Sequence, residues 1–271
     1  MSRFSFNEAD HVYLLDNKRM HGTTTVLEIM GKVLTWWASS LAVKEMGWIN
    51  PKDEGVTPQE RLETAAKRLV EVKSMSPEGY LAFLDKAYRA HSVRLKDTAS
   101  AGTDLHSAVE EWIRGEMTTA GTLLPDERLT SFIAWSKQNV KRFLASEICT
   151  YSERLWVGGK FDFIYEDNGG RIILADVKSA KACYYSQFVQ MGSYDICLTE
   201  SGGYTEKGDK VFTLPKPIDA HAVFLFGGPK GFTAPVLSNG TIRNKRSFES
   251  ALQLYKDDMD YKEVMGNGKK Y

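Results

Sequence analysis

The stretch Glu153-Arg-Leu-Trp-Val-Gly-Gly-Lys-Phe-Asp162-Phe-Ile-Tyr-Glu-Asp-Asn-Gly-Gly-Arg-Ile-Ile-Leu-Ala-Asp176-Val-Lys178 decides the fold. It reads as two strands joined by a tight turn. Residues 160–165 alternate polar with aromatic or aliphatic side chains, and residues 172–178 are rich in β-branched ones. Between them Asn168, Gly169 and Gly170 form a hairpin signal, because glycine supplies positive φ at little steric cost. A turn centred on Gly169 pairs each residue with the one equally far on the other side. Asp162 then lies opposite Asp176.

Facing side chains of an antiparallel pair stand roughly 4.5–5.5 Å apart, and like charges there are destabilising. Two carboxylates held so need a proton or a cation between them. Strand periodicity puts Lys178 on the face of Asp176, and turns Val177 to the other side with Ala175, Phe161 and Phe163. Asp162, Asp176 and Lys178 thus form a polar face suited to a divalent metal that activates water against a phosphate. A lone Asp-x-Lys is also what a solvated strand edge carries, and a one-residue slip would unpair the aspartates. Other parts of the chain have to decide.

At 271 residues the chain holds one large domain or two small ones with ample core. Lysine plus arginine, at 35, equals aspartate plus glutamate, at 35. Zero formal charge argues against a broad nucleic-acid coat but allows a local basic channel. Cys149, Cys183 and Cys197 form neither a metal knuckle nor a disulfide framework, which fits a reducing cytosol. The first residues show no signal-peptide or transit-peptide character, and no segment suits a membrane span, so a cytoplasmic chain is expected.

Residues 11–20 read as a hairpin turning at Asp16 and Asn17, after which Thr23, Thr24 and Thr25 offer N-caps for a helix to residue 30. Helical spacing continues through Leu34, Trp37, Leu41 and Met46, then from about residue 58 to 112 with a break at Ser76-Pro77. Within it Leu105, Ala108, Val109, Trp112 and Ile113 mark a buried face, with His106 and Glu110 one turn apart beside it. Such a histidine is more often structural than a ligand. Residues 180–198 read as a helix with Gln187, Gln190 and Tyr194 along one side, a stripe that suits a phosphate or water and equally an exposed face. Residues 221–226 read as a buried strand with a partner at 232–237, and a last amphipathic helix covers about 247–265. The whole is expected to be one domain of mixed α/β (α+β) class: hairpin and helix start over 1–30, helices over 31–145, the sheet over 146–237 and a helix over 238–271.

Taken in order, Gly102-Thr103-x-x-His106-x-x-x-Glu110, Gly159-x-x-Asp162, Asp176-x-Lys178 and Gln190-x-x-x-Tyr194 resemble the PD-(D/E)XK nuclease superfamily. The closest branch is the RecB-like group, with its phage-encoded and mitochondrial genome maintenance exonucleases. The likeness covers about residues 100–200. It implies a restriction-endonuclease-like mixed sheet flanked by helices, with an N-terminal helical arch or cap. It implies Mg²⁺ or Mn²⁺ on His106, Asp162, Asp176 and the backbone carbonyl of Val177. Lys178 would orient or help deprotonate the attacking water and stabilise charge on the phosphorane, while Gln190 and Tyr194 would hold the DNA backbone or shape the site. Glu110 would reach a water at the metal or support His106. Glu147 or Glu153 would add an acid, and the sequence does not choose between them.

The implied activity is a DNA exonuclease acting on single strands or DNA ends in phage or genome processing and recombination, with a replication or recombination protein as a further partner. A structure-specific endonuclease and a DNA-binding module without turnover are the alternatives. Too few cysteines for an iron–sulfur cluster and the lack of a P-loop imply a stand-alone enzyme. Trp36, Trp37, Tyr80 and Tyr88 are candidates to stack bases, although core packing accounts for such aromatics more often.

Overall fold

The computed structural model describes residues 3–31, 35–118, 129–228 and 231–264. Contacts divide the chain into two compact units, Met1–Gly31 with Gly102–Tyr271, and Lys32–Ala101. The side chains of Trp36, Trp37 and Thr103 lie outside what the structure describes. No helix among the described residues is long and apolar enough to cross a membrane.

The larger unit opens with β1 (Phe4–Asn7), β2 (Val12–Leu15) and β3 (Lys18–Arg19), a small antiparallel sheet. The expected turn is there: Asp16 and Asn17 take φ of 49° and 61°, the left-handed pair that a two-residue hairpin favours. β4 (His21–Gly22) leads into α1 (Thr23–Leu27) and a 3-10 turn at Glu28–Met30. Gly22 is the N-cap, not a threonine. Thr23 is buried, and its hydroxyl donates to the Gly158 carbonyl at 3.1 Å instead of capping the helix.

The smaller unit carries α2 (Thr35–Glu45) and α3 (Pro58–Lys73). α3 starts where Thr57 accepts the Glu60 N–H at 3.1 Å with proline following. α4 (Pro77–Thr118) begins after the expected break, and its residues from Gly102 onward belong to the larger unit. Core packing does not explain Tyr80 and Tyr88, which are both exposed.

The remaining elements are α5 (Thr130–Asn139), β5 (Val140–Ser152), β6 (Val157–Asp167), β7 (Ile172–Lys178), α6 (Tyr185–Glu200), β8 (Gly203–Tyr204), β9 (Lys210–Phe212), β10 (Ala220–Leu225), β11 (Val236–Ser238) and α7 (Thr241–Val264). The fold is mixed α/β. Its large sheet runs β11-β10-β7-β6-β5-β8-β9, with β4 beside β6; β10 lies parallel to β7, and β5, β6 and β7 form an antiparallel meander. β5 begins at Val140, within the stretch expected to be helical. Charge hid this strand: Lys141 and Arg142 grip Glu166 on β6, each at 2.7 Å, so the segment looks like a solvated helix face.

One face of the sheet packs Phe163, Tyr165, Ala175 and Val177 against Leu105, Val109 and Trp112 of α4 and Phe132 of α5. The other packs Ile164, Ile172 and Leu174 against Met191, Tyr194 and Leu198 of α6. Each fully buried side chain of this size contributes about 1.5–3 kcal/mol, so both layers fix the middle strands firmly. Val177, Ala175 and Phe163 share a face as expected, but Phe161 joins the α6 side. Strict alternation therefore breaks at Asp162.

α7 packs behind α6, where a buried polar network joins it to the sheet. Asp195 Oδ2 of α6 lies 3.2 Å from both His221 Nε2 of β10 and Lys245 Nζ of α7, and Asn244 Nδ2 lies 3.0 Å from His221 Nδ1. Asp195, His221 and Asn244 are all but inaccessible. Removing one member of such a network leaves a buried charge short of a partner. His221→Leu is expected to lower stability by about 3 kcal/mol in urea unfolding; a loss near zero would show that the network does not fasten α7.

Candidate metal centre

The β6–β7 hairpin has the register its sequence implies. Asp167 N–H donates to the Arg171 carbonyl at 3.0 Å, Gly170 takes φ of 78°, and the pairs run from Glu166 with Ile172 to Phe163 with Ala175. The ladder stops there, one step before Asp162 and Asp176. Counting alternate residues from the bonded Asp167–Arg171 pair, Val177 is the next whose N–H and C=O face β6. Its N–H donates instead to Asp162 Oδ2 at 2.6 Å. β7 meanwhile stays paired with β10 as far as Lys178. The two strands thus part at this end, and the Asp162 carboxylate stands in the opening.

On the other side of β6 the pairs Ser146 with Phe163 and Ile148 with Phe161 leave Glu147 directly across from Asp162. Glu147 takes φ of 50°, a left-handed conformation that a non-glycine residue holds only when its surroundings impose it. His106 arrives from α4, held by Leu105, Val109 and Trp112 against the sheet. One ligand atom from each of His106, Glu147 and Asp162 lies within 4.8 Å of the other two. His106 Nδ1 is 3.4 Å from Asp162 Oδ2.

Asp176 is outside this trio. Its carboxylate meets the Lys178 ammonium, 2.8 Å from Oδ1 and 2.7 Å from Oδ2. Only Oδ1 has hydrogen-bond geometry, so Oδ2 is buried without a hydrogen-bond donor among the described residues. The imidazole nitrogen and two carboxylates of His106, Glu147 and Asp162 form a donor set that would suit a hard divalent cation.

The electrostatics show the strain of the arrangement. Burial, reinforced by the Asp162 charge, pushes the Glu147 carboxyl up to about 7, although Lys160 pulls the other way. Burial also raises Asp176 to about 6; Lys178 opposes this and Asp162 adds to it. Burial works against Asp162 too, but the His106 hydrogen bond and charge and the Lys178 charge bring it below the usual aspartate range. For His106, burial disfavours the imidazolium, and the hydrogen bond and charge of Asp162 outweigh it, giving a net rise. Lys178 is desolvated as well, yet Asp176 and Asp162 hold it above its ordinary value.

The other residues singled out in the sequence divide clearly. Tyr194 is buried, its hydroxyl accepting from Gln190 Nε2 at 2.8 Å. It packs so closely on Gly159 that a methyl group there would collide with its ring, which explains the glycine three residues before Asp162. Gln187 leaves the stripe to cap α6, accepting the Tyr184 N–H at 2.9 Å. Glu110 is paired with Arg114 one turn on. Glu153 is mostly exposed and paired with Arg3 at 3.1 Å, which leaves Glu147 as the acid at the site. Lys160 drew no notice in the sequence, yet its ammonium lies 3.4 Å from Glu147, 3.4 Å from Glu8 and 3.6 Å from Glu206.

The chain matches no protein-family model, and no curated protein matches it.

In the folded state Glu147 and Asp176 hold protons up to about 7 and about 6, against ordinary values of 4.5 and 3.8. The folded chain therefore binds more protons than the unfolded chain between these limits, and stability falls as pH rises through that window. A cation competes with those protons. Thermal unfolding with and without Mn²⁺ should show a larger stabilisation at about pH 7.5 than at about pH 5. An equal or greater effect at the lower pH would count against a cation at these carboxylates.

Proposed function

We propose that this chain is a metal-dependent deoxyribonuclease of the PD-(D/E)XK type with a restriction-endonuclease-like core, acting as an exonuclease on single strands or DNA ends. The observation that carries this reading is the meeting of His106, Glu147 and Asp162 where β6 and β7 part, with the Asp176–Lys178 pair alongside. His106, Glu147 and Asp162 would hold Mg²⁺ or Mn²⁺, with Asp176 and the Val177 carbonyl as further donors. When bound, the cation would supply a Lewis acid for the phosphate and lower the pKa of water.

The chain's own residues account for the remaining needs of phosphodiester hydrolysis. Lys178, held protonated by Asp176 and Asp162, offers N–H donors and positive charge to a phosphoryl oxygen where negative charge accumulates. Asp162 keeps its carboxylate form and is fixed in place by the Val177 N–H. Tyr194 is too deeply buried to grip a DNA strand, so with Gln190 it shapes the wall behind Gly159. The exposed rings of Tyr80 and Tyr88 on the smaller unit are available to stack on unpaired bases. Substrates would arise in phage or genome DNA processing and recombination, where a replication or recombination protein would be the natural partner.

The test is hydrolysis of end-labelled single- and double-stranded DNA with Mn²⁺. Asp162→Ala and Glu147→Ala are expected to fold and to lose at least about a hundredfold in rate, since each removes a carboxylate that would hold the cation at the reacting phosphate. Circular single strands should survive if the enzyme needs an end. Cutting that persists undiminished in Asp162→Ala overturns the proposal.

A further inference from the structure

At the turn end of the β6–β7 hairpin, away from Asp162, lies a cleft of about 330 Å³. That volume is within the roughly 300–1,000 Å³ usual for small-molecule sites. Tyr165 lines the cleft, with Trp135 of α5 and Pro235 before β11 as apolar walls, and Asn139, Asn168 and Arg171 among its polar lining. Tyr165 is only 1% exposed, and its hydroxyl has no hydrogen-bond partner among the described residues. The sealed, unpartnered side-chain atoms among those residues are Ser146 Oγ, Asp176 Oδ2 and Asn244 Oδ1. The Tyr165 hydroxyl is not one of them, so its small exposed area opens into the cleft it lines.

The polar groups around it are sorted by the bonds they already make. Asn139 Nδ2 donates to the Trp135 carbonyl at 2.8 Å, and Asn168 Nδ2 to the Gln138 carbonyl at 2.7 Å. Both carboxamide oxygens are thereby left as acceptors. Arg171 uses Nε on Asp167 Oδ2 at 2.8 Å, and its half-exposed guanidinium keeps its terminal N–H groups for an anion. The cleft asks for a flat ring with amine donors on its edge and an anionic group beyond it. An acidic peptide would satisfy Arg171 but leave the two carboxamide oxygens and the aromatic wall unanswered.

We infer that this cleft binds a nucleotide, its amino-bearing base against Trp135 and Pro235, with the amine toward Asn139 and Asn168 and the phosphate toward Arg171. The site stands apart from the metal centre: Asp162 and Asp167 are roughly 16 Å apart along β6 at the usual strand rise. It holds whether or not the His106 cluster cuts DNA.

Calorimetric titration of the full chain in chelator with deoxyadenosine monophosphate tests it, with thymidine monophosphate and deoxyribose 5-phosphate as comparisons. One saturable site is expected for the adenine nucleotide, retained in His106→Ala, which excludes product binding at the metal centre. Tyr165→Phe, which keeps the buried ring, and Arg171→Gln should each weaken binding about tenfold. Thymidine monophosphate and the sugar phosphate should bind at least about tenfold more weakly. Should Arg171→Gln fail to fold, Tyr165→Phe decides alone. No saturable binding, binding undiminished in Tyr165→Phe, or a sugar phosphate that binds as tightly as the nucleotide overturns the inference.

Discussion

Two carboxylates, Glu147 and Asp162, face one another across the β5–β6 ladder, and neither strand can move away. Ser146 with Phe163 and Ile148 with Phe161 clamp the pair from both sides. Hydrophobic layers seal both faces of the sheet around them. The fold offsets the repulsion only in part, through His106 on Asp162 and Lys160 beside Glu147. Burial first, and the Asp162 charge after it, raise the carboxyls of Glu147 and Asp176, and Glu147 holds a left-handed backbone. Unfavourable charge stored in a rigid frame is what a cation would relieve if one bound there.

Much of this was legible in the sequence. Asn168 to Gly170 set the β6–β7 register because glycine chemistry fixes such turns, and the alternation of Phe163, Ala175 and Val177 set the face. Sequence reasoning set Asp162 against Asp176, and the register is the expected one, although the ladder ends one step before those two residues. It did not choose between Glu147 and Glu153, whereas Glu147 lies across from Asp162 on β5. The β5–β6 turn hid this. It is built from Glu153, Arg154, Leu155 and Trp156, with Trp156 itself at φ of 62°, so no glycine, asparagine or proline marks it. Nor did charge at Lys141 and Arg142 allow the start of β5 to be told from a helix.

The opening between β6 and β7 follows from competition for one N–H. Val177 gives its donor to a carboxylate rather than to the neighbouring strand, while β10 keeps β7 in line. Charge-assisted bonds of this kind are the stronger ones, so the gap is held open rather than left loose. Lys178 and Asp176 stand beside it as a preformed ion pair. The same hairpin thus carries a charged, parted end and a tight, hydrogen-bonded turn whose aromatic neighbours line a separate cleft.

If the site is to hold a cation, repulsion between Glu147 and Asp162 is a cost that the metal-free fold bears. The direct measurement is the unfolding free energy of Glu147→Gln against the parent chain, metal-free and near neutral pH. Relief of the facing charges should make the variant more stable by roughly 1 kcal/mol. A variant less stable than the parent would mean that Glu147 is a structural ion-pair partner of Lys160, and that the carboxylates are not waiting for a cation.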